Sequence, residues 1–341
     1  MARSTVYNDI VTDELYEKVN QENKDLLDEF IEYLQSTGKS ELTIVGYTSD
    51  IKIYYIWNLK YNKNKEFTNI TKRDVMKYQN WLMNTLKLSS SRVRRLRAAI
   101  SSMSNFIENV LDDSFPNFRN IINKIPAPIN QPVREKTVFE NEDLDELLNI
   151  LVHKEMYQEA CALSLAMNSG SRKSELTRFK VNFFKPENIT HGSLYRTPSK
   201  IKTKGRGGGK MLNKYILANN FQPYLDRWLK QRKKLQINNE YLFVTKKNSK
   251  WIKAQVSTLD SWAERFNQYI DKHFYWHSCR HYFCTNLAKA NIPAEVIKQI
   301  NGWSNVSMVG IYNDQDIDDE LGKYFDENGI KQVEQKSISD L

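Results

Sequence analysis

Residues 126–137 read PAPINQPVREKT, with three prolines in twelve positions and no hydrophobic period. Each proline removes a backbone donor and fixes φ, and the residue before it is pushed away from the helical region. Such a run continues neither a helix nor a central strand, so it reads as a linker between two separately folded bodies. With 341 residues in all, each side is long enough to bury its own core. The expected organisation is a polar arm over residues 1–20, a helical domain over 21–125, the linker over 126–137, a second domain over 138–315 and an acidic tail over 316–341.

The first body reads as four helices. Leu26, Leu27, Phe30, Ile31 and Leu34 recur at steps of three and four and stop at Gly38. Ser40 can cap a second helix running through Tyr47, Ile51, Tyr54 and Tyr55 to about Leu59, and Thr71 with Asp74 signals the start of a third. The fourth, SSSRVRRLRAAISSMSNFIENVL, puts Val93, Leu96, Ile100, Met103 and Ile107 on a core stripe. Arg92, Arg94, Arg95 and Arg97 crowd its first turns with no acid in the segment before Glu108. Serine hydroxyls, free backbone N–H groups and guanidinium groups at one helix end form a phosphate-binding surface, and these four arginines are expected to contact DNA.

The second body is mixed. Helices are expected over NEDLDELLNILV, from about Met156 to Gly170, over Phe221–Leu235, over Val256–Ile270 and over AEVIKQI with Pro293 in its first turn. Between Arg196 and Lys253 the chain holds sixteen basic residues and two acidic ones. Two β-like segments, LYRTPSKIKT and KMLNKYIL, flank the glycine turn at residues 205–209, and a short strand is expected at YLFV. A hairpin bearing Lys200, Lys202, Lys204, Arg206 and Lys210 suits closure over a nucleic-acid backbone. GRGGGK lacks the spacing of a nucleotide-binding P-loop. The fold class expected is mainly α with a small β-sheet and hairpin, a four-helix domain followed by an α+β domain.

Charge narrows the partner. Nine acidic and three basic residues lie from Asn313 onward, so the first 312 residues carry +15 against +9 for the whole chain. A body that basic fits double-stranded DNA. Cys161, Cys279 and Cys284 form no CxxC pair, and no apolar stretch reaches the length of a membrane span or the core of a signal peptide. A reducing, cytoplasmic setting without membrane contact is expected.

The chemistry concentrates in HSCRHYFCTNLAKANIPAEVIKQINGWSNVSMVGIY, residues 277–312. His277 and Arg280 stand one helical turn apart, Trp303 follows a glycine, and Tyr312 closes an aliphatic stretch. Upstream, Arg172 and Glu175 share a helix face in SGSRKSEL. Cleaving a phosphodiester without a metal needs a nucleophile, cations on the non-bridging oxygens and a proton for the leaving oxygen. Arginine forks hold phosphate bidentately, histidine moves protons near neutrality, and a lysine on a hairpin can be the acid. His277, His281 and Cys284 lack a second Cys/His cluster, so no metal is expected.

In order and spacing these boxes resemble the tyrosine recombinases, the phage integrases and their chromosomal relatives, over roughly residues 22–315. The resemblance implies that Arg172 is the first catalytic arginine with Glu175 supporting it. HSCRH supplies His277 and Arg280, GWSN places Trp303 in the His/Trp position, and Tyr312 is the nucleophile that forms a 3′-phosphotyrosyl link. The hairpin lysine would be Lys204, with Lys202 close by. The first body then resembles the core-binding domain that clamps DNA. No metal or nucleotide cofactor is implied, and the working form would be a homo-oligomer on DNA, a tetramer for a recombinase. A phage repressor-like regulator, binding DNA as a dimer or monomer on the same fold without strand exchange, is the alternative of another class. A topoisomerase-like relaxing activity would share the chemistry without needing paired sites.

Overall fold

The structure, a computed structural model, describes residues 6–131, 137–203 and 210–314, with a backbone pairing further on. The described residues fall into two compact units that part at the proline-rich segment.

The N-terminal unit is helical: α1 (Val6–Ile10), α2 (Asp13–Glu17), α3 (Gln21–Ser36), α4 (Glu41–Tyr61), α5 (Lys72–Asn80) and α6 (Ser90–Val110). The helix starts follow the sequence. Ser40 Oγ accepts from the Thr43 amide at 3.3 Å, Thr71 and Asp74 form a capping box, and Ser89 Oγ accepts from the Arg92 amide at 3.3 Å. The last turn of the third expected helix, Trp81–Thr85, widens into a π-turn. Helix α4 is buried almost all round from Asp50 to Asn58, so it is the centre of the unit. Tyr54 meets Tyr78 edge-on at 5.0 Å and Phe67 at 5.5 Å, and Phe30 and Phe106 close the other end.

Three expectations change here. Residues 6–19 form two short helices whose flanks bury Ile10 and Val19 in the core, rather than a polar arm. Arg97 is 5% exposed, and its guanidinium is used on Gln79 Oε1 and on the carbonyls of Ile122 at 2.8 Å and Ile125 at 2.5 Å. It ties α6 to the chain that follows, so it is not the exposed phosphate contact expected of it. The arginine cluster also has an acid, from another helix: buried Asp50 on α4 binds Arg92 at 2.8 Å and Arg95 at 3.1 Å. Arg94 donates to the Pro128 carbonyl at 2.9 Å.

The C-terminal unit is built around α8. Its elements are α7 (Asn141–His153), α8 (Tyr157–Ser169), α9 (Lys173–Leu176), β1 (Ile189–Thr190), β2 (Leu194–Arg196), β3 (Ile201–Thr203), β4 (Lys210–Leu212), β5 (Tyr215–Leu217), α10 (Ala218–Lys234), β6 (Val244–Lys247), β7 (Lys250–Lys253), α11 (Val256–Phe266), α12 (Trp276–Lys289), α13 (Ala294–Asn301) and α14 (Ser307–Tyr312). Residues 160–169 of α8 are buried on every face because α7, α10 and α12 pack around it. Each expected β segment splits in two. Tyr195 faces Ile216 in an antiparallel sheet ordered β1-β2-β5, while Lys202 faces Met211 across β3 and β4. Lys204, Arg206 and the glycine turn lie outside the described residues. The strand expected at YLFV, residues 241–244, begins only at its last residue: Tyr241 makes an isolated bridge, and β6 starts at Val244 and pairs with β7 in a hairpin turned through Asn248 and Ser249 at φ 45° and 61°. Helix α11 stops at Phe266, short of Ile270, and Pro293 caps α13 from outside. A last antiparallel pairing joins β8 (Phe325–Asp326) to β9 (Gly329–Ile330). Among the described residues no helix is long and apolar enough to cross a membrane.

Candidate active site

Two left-handed glycines set the frame. Gly170 ends α8 at φ +55°, and a Cβ there would stand 2.5 Å from Phe283 Cδ1. The chain thus turns sharply into buried Ser171, whose hydroxyl accepts from Ser169 Oγ at 2.8 Å. Arg172 follows in extended conformation at the start of α9, with Glu175 three residues on. Gly302 ends α13 at φ +71° and delivers Trp303.

Glu175 is fully buried and fully used. Oε1 accepts from the Arg172 guanidinium at 2.9 Å, and Oε2 accepts from the Arg172 amide at 3.1 Å and from Lys214 Nζ at 2.9 Å. Although burial works against ionisation, Lys214 and Arg172 hold its carboxyl below the usual range. Lys214 itself is 0% exposed, and burial lowers its pKa. One carboxylate therefore faces two cations, with Arg280 near enough to act on both cations electrostatically.

Helix α12 supplies the other side. Trp276 anchors it through Nε1 to the Leu259 carbonyl at 2.6 Å. Arg280 is 0% exposed and donates to the carbonyls of Gly170 at 2.6 Å and Asn301 at 2.8 Å, bridging the ends of α8 and α13. Burial first, and then Arg172, push its pKa down to about 10. The guanidinium lies 4.9 Å from the Trp303 ring centre and 5.7 Å from that of Tyr312.

Tyr312 sits at the centre of this group. Its hydroxyl is 2.8 Å from His277 Nε2. Its ring is stacked between Trp303, at 4.7 Å, and His281, at 4.5 Å, and is 8% exposed. Thr285 Oγ1 donates to the Tyr312 carbonyl at 3.3 Å and accepts from the Asp314 amide at 3.0 Å, while His281 Nδ1 lies 3.4 Å from Asp314 Oδ2. His277 keeps an outer edge in solvent. Its pKa is pushed down to about 4, first by the protein packed around the ring and then by His281, Arg280 and Arg172. A neutral imidazole beside the hydroxyl can accept its proton. Two buried donors, Arg280 Nε and Trp303 Nε1, have no hydrogen-bond partner among the described residues.

Of the residues expected from sequence, the structure gathers Arg172, Glu175, His277, Arg280, Trp303 and Tyr312 in this unit. Lys204 and Arg206 lie outside the described residues. Lys200, Lys202 and Lys210 are exposed on and before the β3–β4 arms. Sequence reasoning missed Lys214, His281 and Asp314. For Lys214 a signal existed, because it stands two residues before buried Ile216 and so shares the inward face of its strand. His281 and Asp314 gave none, since their role depends on where the Tyr312 ring packs.

Residues 137–318 match the phage integrase family, and residues 26–117 match the N-terminal SAM-like domain of phage integrases. The chain is 28% identical over 329 residues to the SPbeta prophage-derived recombinase-like protein YomM of Bacillus subtilis strain 168, covering 92% of this chain and 94% of that one. It is 26% identical over 294 residues to the tyrosine recombinase XerA of Pyrococcus horikoshii, covering 85% and 89%. Among solved structures, the Tn1549 transposon integrase in complex with circular intermediate DNA aligns with a TM-score of 0.63 at 17% identity, over 87% of this chain and 98% of that one. A lambda integrase dimer bound to a COC′ core site gives 0.62 at 15% identity, over 90% and 99%. At those identities the solved structures establish a common fold.

Proposed function

Because this chain belongs to the phage integrase family, we propose that it binds duplex DNA and that Tyr312 cleaves and rejoins a strand. In this reading Tyr312 Oη attacks the scissile phosphorus and its proton passes to His277 Nε2. The P–O5′ bond breaks, and a 3′-phosphotyrosyl bond forms. Lys204 gives the departing 5′-oxygen its proton. Rejoining runs the same steps backward with a 5′-hydroxyl as nucleophile, so the bond energy stays in the phosphotyrosine and no cofactor is consumed.

The observation that carries the reading is the 2.8 Å hydrogen bond between His277 Nε2 and the Tyr312 hydroxyl beside two arginines. The partnerless donors on Arg280 and Trp303 support it, since a non-bridging phosphate oxygen would satisfy them. Glu175, itself held by Lys214, acts through Arg172 by fixing the direction of its guanidinium. The remaining exposed arginines of α6 and the lysines of the β3–β4 arms contact the DNA backbone, and copies of the chain assemble on DNA as a homo-oligomer.

A second reading has its own observation. Arg280 has no exposed surface, two of its nitrogens are taken by backbone carbonyls, and Tyr312 and Trp303 cover it. No phosphate reaches it until that stack opens. A chain that keeps the stack closed on DNA is a sequence-specific regulator rather than a recombinase. The two separate on a nicked suicide duplex carrying the protein's selected binding site. Strand cleavage predicts a covalent protein–DNA adduct that Tyr312→Phe abolishes without weakening binding. Tight site-specific binding with no adduct leaves the regulator.

A further inference from the structure

Much of the basic run from Arg196 to Lys253 has no part in the Tyr312 site, and its far end, β6–β7, gathers cations with residues from the chain after α9. Lys180 pairs as an isolated bridge with Tyr241, fixed by the Val181 amide on the Glu240 carbonyl at 2.9 Å and the Leu242 amide on the Phe179 carbonyl at 2.9 Å. Lys253 Nζ stands 4.4 Å from the Tyr241 ring centre and Lys180 Nζ 5.7 Å from the same ring. Along the hairpin Lys246 opposes Trp251, with its ammonium 5.7 Å from that ring. Arg178 is near enough to Lys253 to act on its charge, and its guanidinium donates to the Lys202 carbonyl on β3. Basic residues therefore run from Lys202 through Arg178 to Lys253 and Lys180, and Lys246 stands one pair of residues further along the same face of the hairpin as Lys253.

An ordinary solvated face mixes signs so that cations find acids. Here Glu240, which binds Lys180 at 2.8 Å, is the acid acting on Lys253, against both Arg178 and Lys180. Burial of Lys253 and those two like charges together depress its pKa, whereas the Glu240 hydrogen bond raises that of Lys180, so the repulsion an anion would relieve sits on Lys253. The aromatic rings restrain the lysine heads, which lowers the entropy lost when they grip a ligand. Cations spaced along a rigid hairpin edge, beside rings rather than in a pocket, suit an extended polyanion.

We propose that Arg178, Lys180, Lys246 and Lys253 form a phosphate track that extends the β3–β4 contact along the β6–β7 hairpin and grips the backbone of duplex DNA. The inference rests on the DNA-binding half of the function proposed above and is independent of strand cleavage.

The test is the salt dependence of binding to a random-sequence duplex of about 40 base pairs, which reads the electrostatic contribution alone. Replacing three lysines together, as Lys180→Gln, Lys246→Gln and Lys253→Gln, is expected to make the slope of log K against log salt shallower by about 2.7. Between 50 and 200 mM salt the variant then loses about 40-fold less affinity than the wild type. Lysine-to-arginine changes at the same positions should restore the slope. An unchanged slope in a folded glutamine variant overturns the track. Lysine acetylation of the wild-type protein, read by mass spectrometry with and without DNA, does not depend on a variant folding. Protection of Lys180, Lys246 and Lys253 by the duplex supports the track. Labelling equal to that without DNA, or protection by polyglutamate but not DNA, refutes it. A wild type that binds no duplex at all refutes the DNA reading itself, whereas binding without protection refutes the track alone.

Discussion

Replacing Lys214 by methionine tests whether the charge balance under Arg172 is structural. Lys214 and Glu175 are both fully buried and 2.9 Å apart. Breaking such a pair from one side leaves an uncompensated charge and costs about 3–5 kcal/mol. Glu175 keeps the Arg172 guanidinium at 2.9 Å and the Arg172 amide at 3.1 Å, and methionine fills the space of the lysine stem. Both considerations place the loss near the lower end, about 3 kcal/mol, or about 6–12 °C in Tm for a unit of this size. Urea unfolding followed by tryptophan fluorescence reads it, because Trp228, Trp251, Trp262, Trp276 and Trp303 lie in the C-terminal unit and only Trp57 and Trp81 in the other. The pH dependence provides a second check. Glu175 has a depressed folded pKa, so its stabilising contribution is complete above the unfolded carboxyl pKa of about 4.3 and is lost as pH falls through the folded value. Protonated Glu175 leaves wild-type Lys214 unpaired, so the gap between wild type and variant should narrow on acidification from about pH 5. A loss under about 1 kcal/mol at pH 7, or a gap that does not narrow, would refute the buried-pair account.

Gly170→Ala combines left-handed strain with a Cβ overlapping Phe283 and should cost about 2–5 kcal/mol, measured by the same unfolding, while displacing the carbonyl that holds Arg280. Arg97→Met leaves the carbonyls of Ile122 and Ile125 without a donor and should destabilise the N-terminal unit by about 2–4 kcal/mol without changing the salt slope of DNA binding, seen by hydrogen exchange of α6 and by titration. Because the His277 pKa is pushed down to about 4, the imidazole is neutral through the physiological range. Adduct formation on a suicide duplex should then stay flat between pH 6 and 8 with respect to this group and fall only as pH approaches the folded value. A midpoint near 6.5 would show a histidine not held as described.

Local chemistry was readable one residue at a time. Ser40 and Thr71 announced their helices because a cap is decided within four residues. The prolines at 126–132 fall where the chain parts into two units, and the order of Arg172, His277, Arg280, Trp303 and Tyr312 raised the expectation of a phosphodiester site. Their spacing in sequence carries their identity, whatever the packing. Burial and partnership did not travel with the sequence. Four arginines in six positions looked alike, yet Arg97 turns inward while Arg92 and Arg95 meet an aspartate forty-odd residues away. Lys214 was one basic residue among sixteen until β5 placed it against Glu175. A charge's role depends on the dielectric around it and on the sign of its neighbours, and both are fixed by which elements pack together. The sequence by itself determined which chemical groups the chain carries and in what order. Only the tertiary structure decided which cations stay exposed, which are buried around Tyr312, and that Tyr312 lies stacked over a fully buried Arg280.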